Sequence, residues 1–186
     1  MFDPTILLVA SLAFLLAGAI KGVAGLGLPT AAIAGMTLVL EPRVAIAIVL
    51  FPMLVLNCWQ WISTGQLLRS ARQYAPFAIV LFVCVAATTF STKDVPEQML
   101  MILLGVVIAL FVFVSWSGRL PELPLKYDLW GQVGFAVVAG VIGGMTSAWA
   151  APMGMYLNMR DTQKQEFIRA SGFLITVGSL PLIFAY

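Results

Sequence analysis

The sequence predicts an all-α fold: a polytopic transmembrane helix bundle in which two glycine-rich broken or re-entrant helices form an inverted repeat. Composition is the first indication. Of the 186 residues, 61% are hydrophobic and 10% are charged, whereas an ordinary soluble domain is about 45–50% apolar and about 25% charged. The second indication is that the charged residues lie between long apolar runs. The third is that two long segments contain clustered glycines followed by a proline, at Pro29 and at Pro152.

Five runs contain no Asp, Glu, Lys or Arg, at residues 44–68, 73–92, 98–118, 129–159 and 170–186. About 20 apolar residues cross a hydrocarbon core of roughly 30 Å, so each run matches one span or a little more. A buried helix of a soluble protein keeps a polar stripe, which these runs lack. We therefore expect continuous transmembrane helices at about 44–63, 75–92, 98–116 and 167–186.

Two segments, residues 5–40 and 130–159, do not fit one straight helix. At 1.5 Å per residue each is too long for a single span, and each is short for two full spans and a turn. A helix that is broken near its glycine-rich centre suits both lengths. The expected halves are about 5–21 and 28–40 in the first segment, and about 130–145 and 149–159 in the second.

The two broken segments also resemble each other in sequence. Residues 17–22 align with residues 139–144 at an offset of 122, and four of the six positions are identical. The alternative is that small residues recur only because membrane helices pack closely through them. We predict a first transmembrane repeat over residues 1–116 and a second over 130–186. The second is expected to be truncated, because it lacks counterparts of the last two helices of the first repeat.

Lysine and arginine counts in the short loops predict the orientation of the chain. Two such residues lie in each of loops 64–74 and 117–129, which we place in the cytoplasm. One lies in each of loops 41–43 and 92–97, which we place outside. A third basic group also favours the cytoplasm and consists of Arg160, Lys164 and Arg169. The second broken segment must then enter and leave on the cytoplasmic side, and the first on the outer side, an arrangement that many secondary transporters share.

The two breaks are candidate anion-binding elements. Non-helical backbone at membrane depth is costly unless it is buried in protein or lines a wet cavity. Each break frees N–H groups at the start of a half-helix, near Leu28 and near Ala151, where the positive end of the helix dipole attracts an anion. Gly25 and Gly27 allow the backbone to approach a ligand closely. The candidate substrate-binding residues are Lys21, Gly25, Gly27, Pro29, Asn57, Thr146, Ser147, Pro152 and Arg169.

Three of these candidates have an alternative role. Lys21 is the only charge well inside an apolar run, which marks a functional residue by default, but its stem is long enough to snorkel to an interface. Arg169 either reaches inward to the anion or marks the cytoplasmic boundary of the last helix. Asn57 either caps backbone that Pro52 frees or faces the cavity.

Several classes of protein are excluded by what the sequence lacks. It contains no His, and its two cysteines, Cys58 and Cys84, lie in apolar runs, so we expect no metal, haem or disulfide framework. It has no HExxH or GxSxG motif and no intramembrane carboxylate pair, so we expect no catalytic residues, no cofactor and no enzymatic activity. The net charge of +2 without a basic stripe argues against nucleic-acid binding.

Two blocks of the sequence resemble the sulfite exporter TauE/SafE family. The first runs from Gly22 to Pro29, and the second runs from Gly140 to Pro152 and continues through Tyr156-Leu157 and Glu166–Ala170. The resemblance implies a permease for sulfite, organosulfonates or related small anions, built from two homologous halves. Members are usually longer by about two helices, which agrees with the expected truncation. Alanines replace the glycines that the family usually has between Ser147 and Pro152, which narrows the approach to the backbone there.

The leading hypothesis is a multi-pass anion permease or exporter in the inner (cytoplasmic) cell membrane. Its expected partners are a small anionic substrate, the lipid bilayer and, as an open alternative, a second copy of the chain. A different class of function is a membrane scaffold that packs against partners through its glycine faces and transports nothing. A third, an intramembrane enzyme, has the least support because acid–base groups are lacking.

Overall fold

The computed structural model describes residues 4–92, 95–116 and 121–184, and over these ranges the chain is almost entirely helical. Its helices are α1 (Pro4–Ala24), α2 (Leu28–Met36), α3 (Pro42–Ser63), α4 (Leu67–Gln73), α5 (Ala75–Ser91), α6 (Glu97–Trp116), α7 (Asp128–Thr146), α8 (Ala150–Met159) and α9 (Lys164–Ile183), and a 3-10 turn (Leu125–Tyr127) precedes α7. The four continuous helices expected from the sequence are present as α3, α5, α6 and α9, and of these α3 and α9 are by themselves candidate membrane spans.

The protein is a multi-pass membrane protein. Four stretches of the described residues are long and apolar enough to cross a bilayer: Pro4–Val23, Pro42–Ser63, Leu125–Thr146 and Lys164–Ile183. A fifth candidate span is the pair α4 and α5, which is bent by 71°. The sequence had indicated only a loop at α4. Pro76, in the first turn of α5, explains the bend, because its ring excludes the helical hydrogen bond that would join the two helices.

The first broken segment differs from expectation in its proportions. The first half was expected to end near residue 21, but α1 continues to Ala24 and, with 21 residues, is about 31 Å long, a complete span. The second half was expected to reach residue 40, but α2 has only 9 residues and ends at Met36. It ends early because the chain must turn before α3, whose first turn contains Pro42.

The second broken segment follows the prediction closely. α7 ends at Thr146, Ser147 adopts a left-handed conformation with φ of 57°, and α8 begins at Ala150. The Trp149 side chain is fully buried. A side chain on Gly143 would collide with its ring, and one on Gly178 would lie 3.8 Å from it. The indole therefore fills the break.

Hydrogen bonds show which loops share an end of the bundle. Leu123 N donates to Met159 O at 2.7 Å. Since Leu123 lies before α7 and Met159 is the last residue of α8, the second broken segment begins and ends at the same end of the bundle. This return is what the sequence predicted for residues 130–159. Arg43 donates from Nη2 to Val95 O at 3.0 Å, which joins the two loops that were placed outside. The inverted repeat itself stays a prediction.

Helix α9 is the centre of the bundle. In its most apolar window 67% of the residues are buried, against 11% for α1. Two glycines of α9 lie close to atoms of neighbouring helices. A side chain on Gly172 would lie 2.9 Å from Trp61 N, and one on Gly178 would lie 3.1 Å from Leu81 Cδ2. α3 and α5 thus approach α9 closely at these two glycines.

The aligned glycines Gly22 and Gly144 give a matched test of packing. We expect Gly144→Ala to destabilise the fold by roughly 1–3 kcal/mol, because the added Cβ would lie 2.9 Å from Val85 O. Gly22→Ala should be neutral or slightly stabilising, since no atom lies within 4 Å of its Cβ position. Thermal unfolding of both variants in detergent checks this. Equal melting temperatures would contradict the α5–α7 packing described.

Glu41 and Asp161 should lie on opposite sides of the membrane. Glu41 adjoins the Arg43–Val95 contact, whereas Asp161 follows the end of α8 that meets Leu123. We expect Glu41→Cys and Asp161→Cys, made in a chain without Cys58 and Cys84, to react with a membrane-impermeant maleimide from opposite faces. Labelling of both from one face would contradict the topology.

Candidate functional site

A cavity of about 790 Å³ lies where the two broken segments meet. Both short helices present their first turn to it: Gly27 and Thr30 at the start of α2, and Ala150 and Ala151 at the start of α8. The remaining wall comes from α1, the break after it, the rest of α2 and α8, and the start of α9: Ile20, Val23, Leu26, Ala31, Ala34, Gly154, Met155, Asn158, Thr162, Lys164, Phe167 and Ile168.

The two breaks lie at different depths. A Cβ on Gly25 in the first break would lie 3.3 Å from Ile168 Cγ1, whereas Trp149 in the second break lies next to Gly178. Ten residues of α9 separate these contacts, which is about 15 Å at 1.5 Å per residue. The two helix N-termini therefore flank the middle of α9, one from each side.

The wall of the cavity is mostly apolar and has a few polar side chains. Its charged residue is Lys164, and the polar side chains beside it are Thr30, Asn158 and Thr162. No carboxylate lines it among the described residues. Sequence reasoning used Lys164 only to orient the chain and did not select the other three. Their spacing in the sequence did indicate Asn158 and Thr162, because both follow Ala151, another residue of the cavity wall, at helical spacing on and just after α8.

The predicted site residues do not all meet in this cavity. Gly27 lines it. Pro152 lines a second, largely apolar cavity of about 600 Å³ between α6, α7 and α8. Pro29 is buried in the first turn of α2. Gly25 and Gly27 have φ of 75° and 91°, so glycine is required there by backbone conformation as well as by any close approach.

Lys21 and Asn57 form a pair between α1 and α3. Lys21 donates from Nζ to Asn57 Oδ1 at 2.7 Å, and Asn57 donates from Nδ2 to Met53 O at 2.6 Å. Pro52 frees the carbonyl of Ile48, so Asn57 does not cap the kink. It holds the ammonium instead. Within the described residues no carboxylate pairs with Lys21.

The remaining candidates lie at the second break and on α9. Thr146 donates from Oγ1 to Ile142 O at 2.8 Å and accepts from Ala148 N at 3.3 Å, so its hydroxyl shapes the break. Ser147 is buried, and its Oγ has no hydrogen-bond partner among the described residues. Arg169 is also buried among the helices around α9, and it does not line the cavity.

Gln60 connects the first break to α9 and was not selected from the sequence. Its Nε2 donates to Ile168 O at 2.5 Å and to Ser171 Oγ at 3.0 Å, and lies 3.4 Å from Gly25 O. Gln60 is in an apolar run, one turn before α3 ends, and nothing in its local pattern indicates contacts with residues so distant in the chain. It fixes the position of the break.

A polar cluster closes the end of the bundle that the basic loops assign to the cytoplasm; it consists of Tyr74, Asp128, Tyr156, Arg160 and Glu166. Tyr156 donates from its hydroxyl to Asp128 Oδ1 at 2.7 Å, and Tyr74 donates to Glu166 Oε1 at 2.7 Å. Arg160 Nε lies 3.4 Å from Asp128 Oδ1. Burial opposes the charged form of Arg160, but interactions with Tyr156, Tyr74 and Asp128 outweigh it and raise the pKa of the guanidinium. The cluster ties α5, α7, α8 and α9 together.

A family model matches most of the chain. The sequence model of the Sulfite exporter TauE/SafE family matches residues 10–186 of the chain. Among curated proteins and among solved structures, none matches. The matched range includes most of α1 and the whole of the second broken segment, so it covers every residue that lines the cavity. The resemblance drawn from the two glycine-rich blocks is confirmed.

Replacing Gln60 should loosen the first break. We expect Gln60→Leu to destabilise the protein by roughly 1–3 kcal/mol, because Ile168 O and Gly25 O lose their polar contact with the amide. Gln98→Leu, at an exposed position of α6, should have little effect. Thermal unfolding in detergent gives the comparison. Equal unfolding temperatures for the two variants would show that Gln60 does not hold the break.

Proposed function

Since the chain belongs to the sulfite exporter TauE/SafE family, we propose that it is a secondary transporter for a small anion, such as sulfite, an organosulfonate or a related organic acid, in the inner (cytoplasmic) cell membrane. The observation that carries the proposal is the cavity shared by the first turns of α2 and α8. Its wall contains Lys164 and, among the described residues, no carboxylate. This is a transport role rather than an enzymatic one.

The two helix starts supply matching hydrogen-bond donors. In α2 the second helical residue is Pro29, so the N–H groups of the first turn belong to Leu28 and Thr30. In α8 the third helical residue is Pro152, which leaves Ala150 and Ala151. Neither N-terminus is capped by a side chain. Donors of this kind replace part of the water that an anion loses in the bilayer.

Small residues keep the path beside these donors open. Gly27, Ala31 and Ala34 line the cavity on α2, and Ala150 and Gly154 line it on α8. A small oxyanion can therefore approach both backbones. Lys164, at the start of α9, lies at the end of the cavity next to the polar cluster, where it attracts an anion from the cytoplasmic side.

Lys164 should contribute to transport through its charge. We expect Lys164→Gln to weaken the apparent affinity for sulfite about tenfold, which corresponds to about 1.4 kcal/mol. Lys126→Gln is the matched control, because Lys126 lies in the segment before α7, 4.7 Å from the Tyr127 ring, and does not line the cavity. Sulfite flux into proteoliposomes measures both. A scaffold that transports nothing would give no flux in any variant, wild type included.

Filling the cavity should block transport without unfolding the protein. We expect Ala34→Leu to reduce sulfite flux at least tenfold, because its added carbons occupy space beside Gly27 and Thr30. Ala109→Leu, at an exposed position of α6, should transport normally. Size-exclusion profiles establish that both variants are folded. Normal flux through Ala34→Leu and Lys164→Gln together would place the route elsewhere.

A further inference from the structure

Arg169 is a buried cation for which the described residues provide no counterion. Its side chain is in the interior of the bundle, with the residue 8% exposed, and its Nε has no hydrogen-bond partner among the described residues. The nearest acid along α9, Glu166, is already held by Tyr74 and by Gln73. An unpaired buried charge is strongly destabilising. The Nε of Arg169 is therefore able to donate to a negatively charged group that the described chain does not provide.

Two more donors without partners belong to helices that pack against α9. They are the hydroxyl of Ser70 in α4, a residue 1% exposed, and the indole Nε1 of Trp61 in α3. Both atoms are buried, and neither has a hydrogen-bond partner among the described residues. An indole N–H can only donate, and a guanidinium offers no acceptor. A single group that satisfies all three donors must therefore be a hydrogen-bond acceptor.

Packing brings Trp61 and Arg169 to one interface. The Trp61 ring lies 4.9 Å from that of Phe173, which is one turn after Arg169 on α9. A side chain on Gly172, three residues after Arg169, would lie 2.9 Å from Trp61 N. Residues three and four apart lie on the same face of a helix. Arg169 therefore shares the α3-facing side of α9 with the residues that contact Trp61.

Helix α4, which contains Ser70, contacts the same part of α9. Gln73, three residues after Ser70, donates to Glu166 Oε1 at 2.6 Å, and Glu166 is three residues before Arg169. Ser70 and Arg169 are thus each one turn away from a contact that joins α4 to α9. None of Ser70, Trp61 and Arg169 lines the cavity between α2 and α8.

We propose that Arg169, Ser70 and Trp61 form a second anion site, separate from the cavity, at the junction of α3, α4 and α9. Its ligand is a small oxyanion, because guanidinium groups pair with the oxygens of carboxylate-like and phosphate-like anions through directed hydrogen bonds. The hydroxyl and the indole N–H supply two further donors from two other helices. The bound anion holds α4 against α9. This site is defined by binding and does not depend on whether the protein transports the same anion.

Anion binding to the full chain in detergent tests the site. We expect sulfite or sulfate to shift the ¹⁵N-indole resonance of Trp61, which Trp61→Phe identifies because that change keeps the aromatic contact with Phe173. Ser70→Ala should weaken the anion affinity that this shift reports about tenfold, since it removes one hydrogen bond to a charged ligand. Lys164→Gln should leave that affinity unchanged.

Control variants separate this site from the cavity and from misfolding. Trp130→Phe alters a tryptophan that is largely exposed and should not change the anion response of Trp61. Arg169→Met should abolish the response, and Arg169→Lys should restore part of it. If neither anion shifts the Trp61 resonance in the wild-type chain, or if Ser70→Ala leaves the affinity unchanged, the proposed site is wrong. These outcomes are independent of sulfite flux.

Discussion

The need to satisfy backbone polar groups away from water governs this structure. Continuous helices meet it internally, but the chain is interrupted between α1 and α2 and again between α7 and α8. Both interruptions are stabilised by contacts with α9. Gln60 joins the first to the Ile168 carbonyl of α9, and Trp149 fills the second beside Gly178. The most buried of the candidate spans is thus the support on which two non-helical segments depend.

Charge is distributed unevenly in the interior. Lys21 is held by a neutral amide, and Arg169 lacks a hydrogen-bonded partner at Nε in the described part of the chain. Asp128 and Glu166, by contrast, lie at one end of the bundle, where tyrosine hydroxyls donate to them. These two cations thus have no acid as a partner among the described residues, whereas the two acids are held by tyrosines.

Much of the fold was predictable because bilayer thickness and charge spacing are local properties of a sequence. The bounds of α3, α5, α6 and α9, and the break after Thr146, followed from them. Contacts between distant residues did not. The partners in the polar cluster are 28 residues apart for Tyr156 with Asp128 and 92 apart for Tyr74 with Glu166. No short pattern marks such pairs. For the same reason the cavity includes Asn158 and Thr162, which sequence reasoning passed over, while several selected residues pack behind it.

The amide of Gln60 has a consequence for motion. It carries two hydrogens and faces three acceptors, on Gly25, Ile168 and Ser171. One acceptor is always left over, so a small displacement of the first break exchanges one bond for another instead of losing it. The second break has no alternative hydrogen bond of this kind, because it is filled by the Trp149 ring, which lies between Gly143 and Gly178. The two halves of the cavity are therefore supported differently: the first break by an amide that can exchange acceptors, and the second by a buried aromatic ring.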